Sequence, residues 1–146
     1  MKEAIANVGV FNLIIIFVTI LLSFFVGSLG YSKAFKVKNL IVNEIEKNKA
    51  FNNEVSQEIE DSLSKIGYRM NTSNNSIVCP IEDGQRAINQ NSNYQYCVYE
   101  FRNTTGVKSA TFYRVVAYMY FDVPIFNDLV NIPVRGETIS FVEINS

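Results

Sequence analysis

The chain has 146 residues, 13 basic and 14 acidic, a net charge of −1, and neither histidine nor tryptophan. That balance excludes a polybasic nucleic-acid binder and gives no general electrostatic pull toward anionic lipid. The missing histidine removes Ser-His and Cys-His nucleophile pairs and the usual catalytic zinc sites.

The length suits one domain, but its charges are unevenly spread: the 29 residues from Ala4 to Ser32 carry none. Within them, Val8 to Gly30 reads VGVFNLIIIFVTILLSFFVGSLG, 23 residues with only Asn12, Thr19, Ser23 and Ser28 polar. As a helix this run is roughly 35 Å long, against about 30 Å of hydrocarbon, and a helix satisfies its own backbone in lipid. Residues 1–31 are therefore read as an N-terminal transmembrane helix, with the lipid bilayer as first partner. A cleaved signal peptide is the rival, since Ser28-Leu29-Gly30 offers small residues before Tyr31. The apolar run is too long for that, and Lys2-Glu3 is a poor positive start. Asn12 is a candidate for hydrogen bonding to a neighbouring helix, for about 1 kcal/mol, and Gly27, Ser28 and Gly30 for admitting one closely. Two rules oppose each other on orientation. Lys33, Lys36 and Lys38 after the span pull the following domain toward the cytoplasm, whereas two cysteines argue for an oxidising exterior. The reading adopted is a single-pass protein of the cell membrane, N-terminus cytoplasmic and C-terminal domain extracytoplasmic.

No glycine or proline falls between Tyr31 and Ile66. Val37, Leu40, Ile41 and Ile45, then Phe51, Val55, Ile59, Leu63 and Ile66, form two runs with steps of three and four, the face of an amphipathic helix. Residues 32–67 are expected to continue the span as that helix, with a bend at Asn48–Asn53 and a stop at Gly67. A polar loop follows at Asn71–Ser76, and the period then changes. Strands are predicted at Ile77–Ile81, Tyr94–Arg102, Thr111–Val123 and Glu137–Ile144. In the third, Tyr113, Val115, Ala117, Met119 and Phe121 share the face the helix is expected to cover. The apolar connection 124–133 reads as a loop over the core or as a contact surface for a neighbouring subunit. Residues 68–146 thus form the β-rich extracytoplasmic part of the same globular domain. The fold class is α+β: a long N-terminal helix, transmembrane then amphipathic, packed on a small, mostly antiparallel sheet.

Cys79 and Cys97 lie in the first two predicted strands and enclose about 19 residues. A disulfide there stabilises by about 3 kcal/mol on the chain-entropy model; two free thiols are the alternative for a cytoplasmic domain. Glu58, Glu60 and Asp61 read as a solvated helix face, and Glu82-Asp83-Gly84 as turn chemistry. No catalytic, cofactor or metal constellation emerges, so neither an enzyme, nor a cofactor, nor a small-molecule substrate is expected.

The apolar-to-amphipathic helix, the loop, the antiparallel strands and the disulfide candidate together resemble the layout of type IV pilins and pseudopilins, including TadE-like minor pilins. Gly9 followed by Val10-Phe11-Asn12-Leu13-Ile14-Ile15-Ile16-Phe17 resembles the glycine and apolar helix start cut by pilin leader peptidases. The likeness implies Gly9 as a leader-cleavage position, although Ile14 stands where the family carries an acidic residue and Cys79 is early for its C-terminal disulfide loop. It also implies a helix that anchors each subunit and then bundles with its neighbours in a filament core. The expected function is a structural subunit of a pilus-like or secretion-type assembly, with other membrane or filament subunits, or copies of itself, as partners. The alternative is an anchored extracellular binding module that does not polymerise, using exposed rings of Tyr94, Tyr96, Tyr118 and Tyr120.

Overall fold

A computed structural model describes residues 2–73, 76–105, 108–121 and 130–144. Helix α1 (Lys2–Asn48) runs unbroken for 47 residues, about 70 Å at 1.5 Å per residue. Its second half turns one face inward, burying Ala34, Val37, Ile41 and Ile45 at helical spacing.

The helix then stops and the chain folds back. Lys49 adopts a positive φ of 54°, and Asn52 caps helix α2 (Asn53–Ile66) by accepting the Val55 N–H at 2.9 Å. Gly67, with φ 65°, closes α2, and the Gly67 and Tyr68 N–H groups bond the Ser64 and Leu63 carbonyls. The end of α2 returns to the start of the domain, where Lys33 Nζ donates to the Gly67 carbonyl at 2.7 Å. The helix expected across 32–67 is therefore a helical hairpin. Two of the three asparagines in Asn48–Asn53 explain the break: Asn48 Nδ2 donates to the Glu44 carbonyl at 3.0 Å at the end of α1, and Asn52 caps α2. Val55, Ile59 and Leu63 of α2 join Val37, Ile41 and Ile45 of α1 in one core cluster.

The sheet is antiparallel, with strands β1 (Tyr96–Thr105), β2 (Lys108–Phe121), β3 (Val130–Glu137) and β4 (Phe141–Ile144). Long β2 is central: β1 runs along one edge, and β3 and β4 follow each other along the other. Two sequence expectations need correction. Ile77–Ile81 is irregular, and the strand expected at Glu137–Ile144 is broken after Glu137. At the break, the Tyr113 N–H donates to Thr138 Oγ1 at 3.0 Å, the Thr138 N–H to the Tyr113 carbonyl at 2.9 Å, and the Ile139 N–H to Glu46 of α1 at 2.9 Å. Strand β3 also begins inside the expected connection 124–133, of which residues 124–129 lie outside the described residues. Pro133 is tolerated in β3 because its partner Tyr118 turns both backbone groups the other way, toward the Tyr68 hydroxyl.

The helical hairpin covers one sheet face, burying Tyr96, Val98, Tyr113, Val115 and Ala117. Met119 packs with Ala34 and Val134, so the four described side chains of the five β2 residues expected beneath the helix lie there, and the fifth, that of Phe121, is outside the described ones. Gly136 sits opposite Val115, and a Cβ there would overlap the stem of Lys38. The second sheet face is covered too: Cys97, Tyr99, Val116 and Tyr118 pack beneath Ala87, Ile77 and Cys79. The segment 77–89 is thus a third layer, held at the β1 edge by Asn89, whose Nδ2 donates to the Tyr96 carbonyl and Oδ1 accepts the Val98 N–H, both at 2.8 Å.

Candidate functional site

Between Val8 and Leu29 every large apolar side chain is exposed, from 46% at Val18 to 80% at Phe24. This one helix, near the N terminus, is long and apolar enough to cross a membrane. The Thr19 and Ser23 hydroxyls donate to the Ile15 and Thr19 carbonyls at 2.8 and 2.9 Å, which satisfies them within the helix. Gly9, Asn12 and Ser28 lie exposed on it and Gly27 is half-exposed. Gly30 faces the domain: a Cβ there would stand 3.3 Å from Met119 Cγ and 3.4 Å from the Tyr120 carbonyl. Its lack of a side chain lets α1 approach the end of β2.

Just past the apolar run, Tyr31 and Phe35 stack with centroids 6.2 Å apart and both are exposed. The Lys38 ammonium lies 4.2 Å above the Phe35 ring. The amphipathic Tyr31 ring, with Lys33, Lys36 and Lys38 following it, matches the composition of a membrane–water interface.

At the same level, the hairpin and the sheet enclose a cleft of about 330 Å³ lined by Gly30, Lys33, Ala34, Gly67, Tyr68, Arg69, Tyr118 and Tyr120. Each wall has a structural cause. Gly30 admits the sheet, Gly67 turns the chain, and the Tyr68 hydroxyl replaces a missing rung of the ladder. That hydroxyl donates toward the Gln95 and Tyr118 carbonyls at 2.9 and 3.1 Å and accepts the Tyr118 N–H at 2.8 Å. Burial pushes the Tyr68 hydroxyl up to about 12, and burial beside Tyr68 raises that of Tyr120 as well. Both remain neutral at physiological pH. The Arg69 guanidinium lies 4.8 Å over the Tyr120 ring. Among the described residues, neither Lys33 nor Arg69 pairs with a carboxylate.

On the far sheet face Cys79 and Cys97 form a disulfide, with Cα atoms 5.8 Å apart. It joins β1 to the irregular covering segment, where two neighbouring strands had been expected. The turn of that segment is fastened by an ionic network. Arg114 Nη1 meets Asp83 at 2.6 Å, Arg114 Nε meets Glu137 at 2.8 Å, and Arg135 Nε meets Glu82 at 2.9 Å. Asp83 and Glu137 hold the Arg114 guanidinium still more firmly protonated than usual.

One sequence expectation about surface residues fails, and another holds for Glu58 and Asp61, which are exposed, but not for Glu60. Tyr94, Tyr96 and Tyr118 are buried and Tyr120 is half-buried, so they form no exposed aromatic platform. Glu60 does more than face solvent: it accepts from Ser92 Oγ, the Asn93 N–H and Asn93 Nδ2 at 3.1, 3.0 and 2.7 Å. Sequence reasoning overlooked Tyr68, Arg69 and Asn89. The Gly67 stop signal, which places Tyr68 and Arg69 at a helix end, was the usable hint for the first two.

Comparison with protein-family models, curated proteins and solved structures finds no match for this chain. The fold and its exposed helix fit a single-pass membrane anchor carrying an α+β domain.

Proposed function

We propose that this chain is a structural, single-pass membrane subunit, pilin-like in layout, that assembles with other subunits or with itself at the cell surface. One observation carries the reading. The apolar half of α1 stands wholly exposed, while the domain closes its core using only the half from Ala34 onward. A stripe-free apolar helix that its own domain does not cover must be covered by lipid, by neighbouring helices, or by each in turn. Asn12, Gly27 and Ser28 are the positions through which such helices would meet. The Cys79–Cys97 disulfide supports an extracytoplasmic domain, with the N-terminus inside. Exposed Val78 and Ile81 beside that disulfide, with exposed Ile132 of β3, supply apolar surface for lateral contacts.

The test is to shear intact cells, pellet the released material by ultracentrifugation, and immunoblot it beside the membranes. Protein pelleting from the sheared fraction without membrane markers is the expected result. Monomers alone, in both mild detergent extracts and crosslinked cells, would remove assembly from the reading and leave an anchored domain.

A further inference from the structure

We infer that the cleft between α1, the Gly67 turn and the end of β2 binds the phosphate of an anionic phospholipid in the membrane that α1 crosses. The inference rests on the membrane-anchor part of the reading above and is independent of assembly.

Depth is the first argument. The cleft is lined by Gly30, Lys33 and Ala34, and Gly30 is the last residue of the apolar run. Residues 30–34 cover about 6 Å of helix, equal to the roughly 5–7 Å of headgroup layer on each side of a bilayer. Exposed Tyr31 and Phe35 mark the same depth.

Charge is the second argument. Lys33 is the first charged residue after Glu3, and the fold brings Arg69, 36 positions later, to the same cleft. Lys33 uses one donor on the Gly67 carbonyl, leaving two of its three N–H groups. Arg69 is steadied by its contact with the Tyr120 ring, and a guanidinium carries a fork of donors that suits a phosphate. The Tyr120 hydroxyl is buried beside that of Tyr68 at the back of the cleft. The protein as a whole is weakly acidic, so this pair of cations is a local feature and not part of a general basic surface.

Geometry also favours lipid over a free anion. A cleft flanked by an exposed apolar helix receives the headgroup and the acyl chains of one molecule at once. Inorganic phosphate would gain only the polar half of these contacts.

The experiment uses the full chain, first floated with phosphatidylcholine vesicles to establish anchoring. The protein is then extracted in a non-ionic detergent and supplied with equal phosphatidylcholine and phosphatidylglycerol, and retained lipid is counted by native mass spectrometry. The expected result is one phosphatidylglycerol per chain, retained at least about ten-fold over phosphatidylcholine. Lys33→Gln and Arg69→Gln should each reduce that preference several-fold, and Arg69→Lys less. Near-UV circular dichroism checks that the variants are folded, and the wild-type preference stands as a test if one is not. Equal retention of the two lipids overturns the inference, as does a preference that persists in both glutamine variants. Complete displacement of the lipid by millimolar inorganic phosphate would overturn the lipid assignment, the cleft then being a site for the free anion. Failure to float with vesicles refutes the anchor itself, and is distinguishable from all of these.

Discussion

Replacing Tyr68 with phenylalanine isolates the one hydroxyl that completes the sheet where β1 begins too late. The ring stays in place, so no large cavity opens, and the change is confined to hydrogen bonding. Three buried backbone groups depend on that oxygen: the Tyr118 N–H at 2.8 Å and the Gln95 and Tyr118 carbonyls at 2.9 and 3.1 Å. An orphaned buried N–H costs about 1–3 kcal/mol, and the carbonyls, each with a second lone pair, cost less. The expected loss is about 3 kcal/mol, a large share of the roughly 5–15 kcal/mol that a domain commands. Urea unfolding of the full chain in non-ionic micelles, followed by near-UV circular dichroism, reads this directly as a lower midpoint at unchanged slope. In a thermal scan it corresponds to a fall of about 10 °C. A loss below about 0.5 kcal/mol would show that water or a shifted strand supplies the bonds, and that the hydroxyl is no part of the ladder.

Alkaline pH should act on the same residue. Its folded value is raised from 10.0 to about 12 by burial, so its share of stability is whole below pH 10 and is lost as pH rises from 10 through 12. At 1.36 kcal/mol per unit this is roughly 3 kcal/mol, and the gap between wild type and Y68F in urea midpoint should shrink over that window. Reducing the Cys79–Cys97 bond releases a constraint across 18 positions; it should lower stability by about 3 kcal/mol, measured as the urea midpoint with and without dithiothreitol. Asn89→Ala strips the Tyr96 carbonyl and Val98 N–H of their partners. It should cost about 2 kcal/mol and speed amide exchange at Val98 more than at Val115 on β2.

Much of this architecture was legible in the sequence, for reasons that also explain what was not. The uncharged run of Ala4–Ser32 is a signal of length and composition, and it marks the span; the alternation of Tyr113, Val115, Ala117 and Met119 is a periodic signal, and it reports burial faithfully. Gly67 is a local chemical stop, and it stops α2. Periodicity has no sense of direction, however. Val37–Ile45 and Val55–Leu63 keep the same spacing whether the second set continues the first or folds back beside it. Only the asparagines between them mark the reversal. The covering segment 77–89 has no period because its attachment is by particular atoms: one disulfide, the Asn89 amide and the Arg114 network. With that layer unseen, Tyr118 looked like a surface ring. The cleft was invisible for a related reason, since Lys33 and Arg69 become neighbours only through the hairpin.

That hairpin has a mechanical consequence. Helix α1 is continuous from its exposed apolar half into the core, and Gly30, the residue at which such a helix would most easily flex, lies against Met119 and the Tyr120 carbonyl. The Lys33 bond to the Gly67 carbonyl ties the far end of α2 to the same turn of α1. The domain is therefore fastened to the helix by both the sheet and the hairpin at the point of emergence. A tilt or rotation of the apolar half must carry the whole domain with it, because bending at residue 30 would break contacts on two sides at once. In an assembly held through the apolar helices, the orientation of each domain follows from how those helices pack.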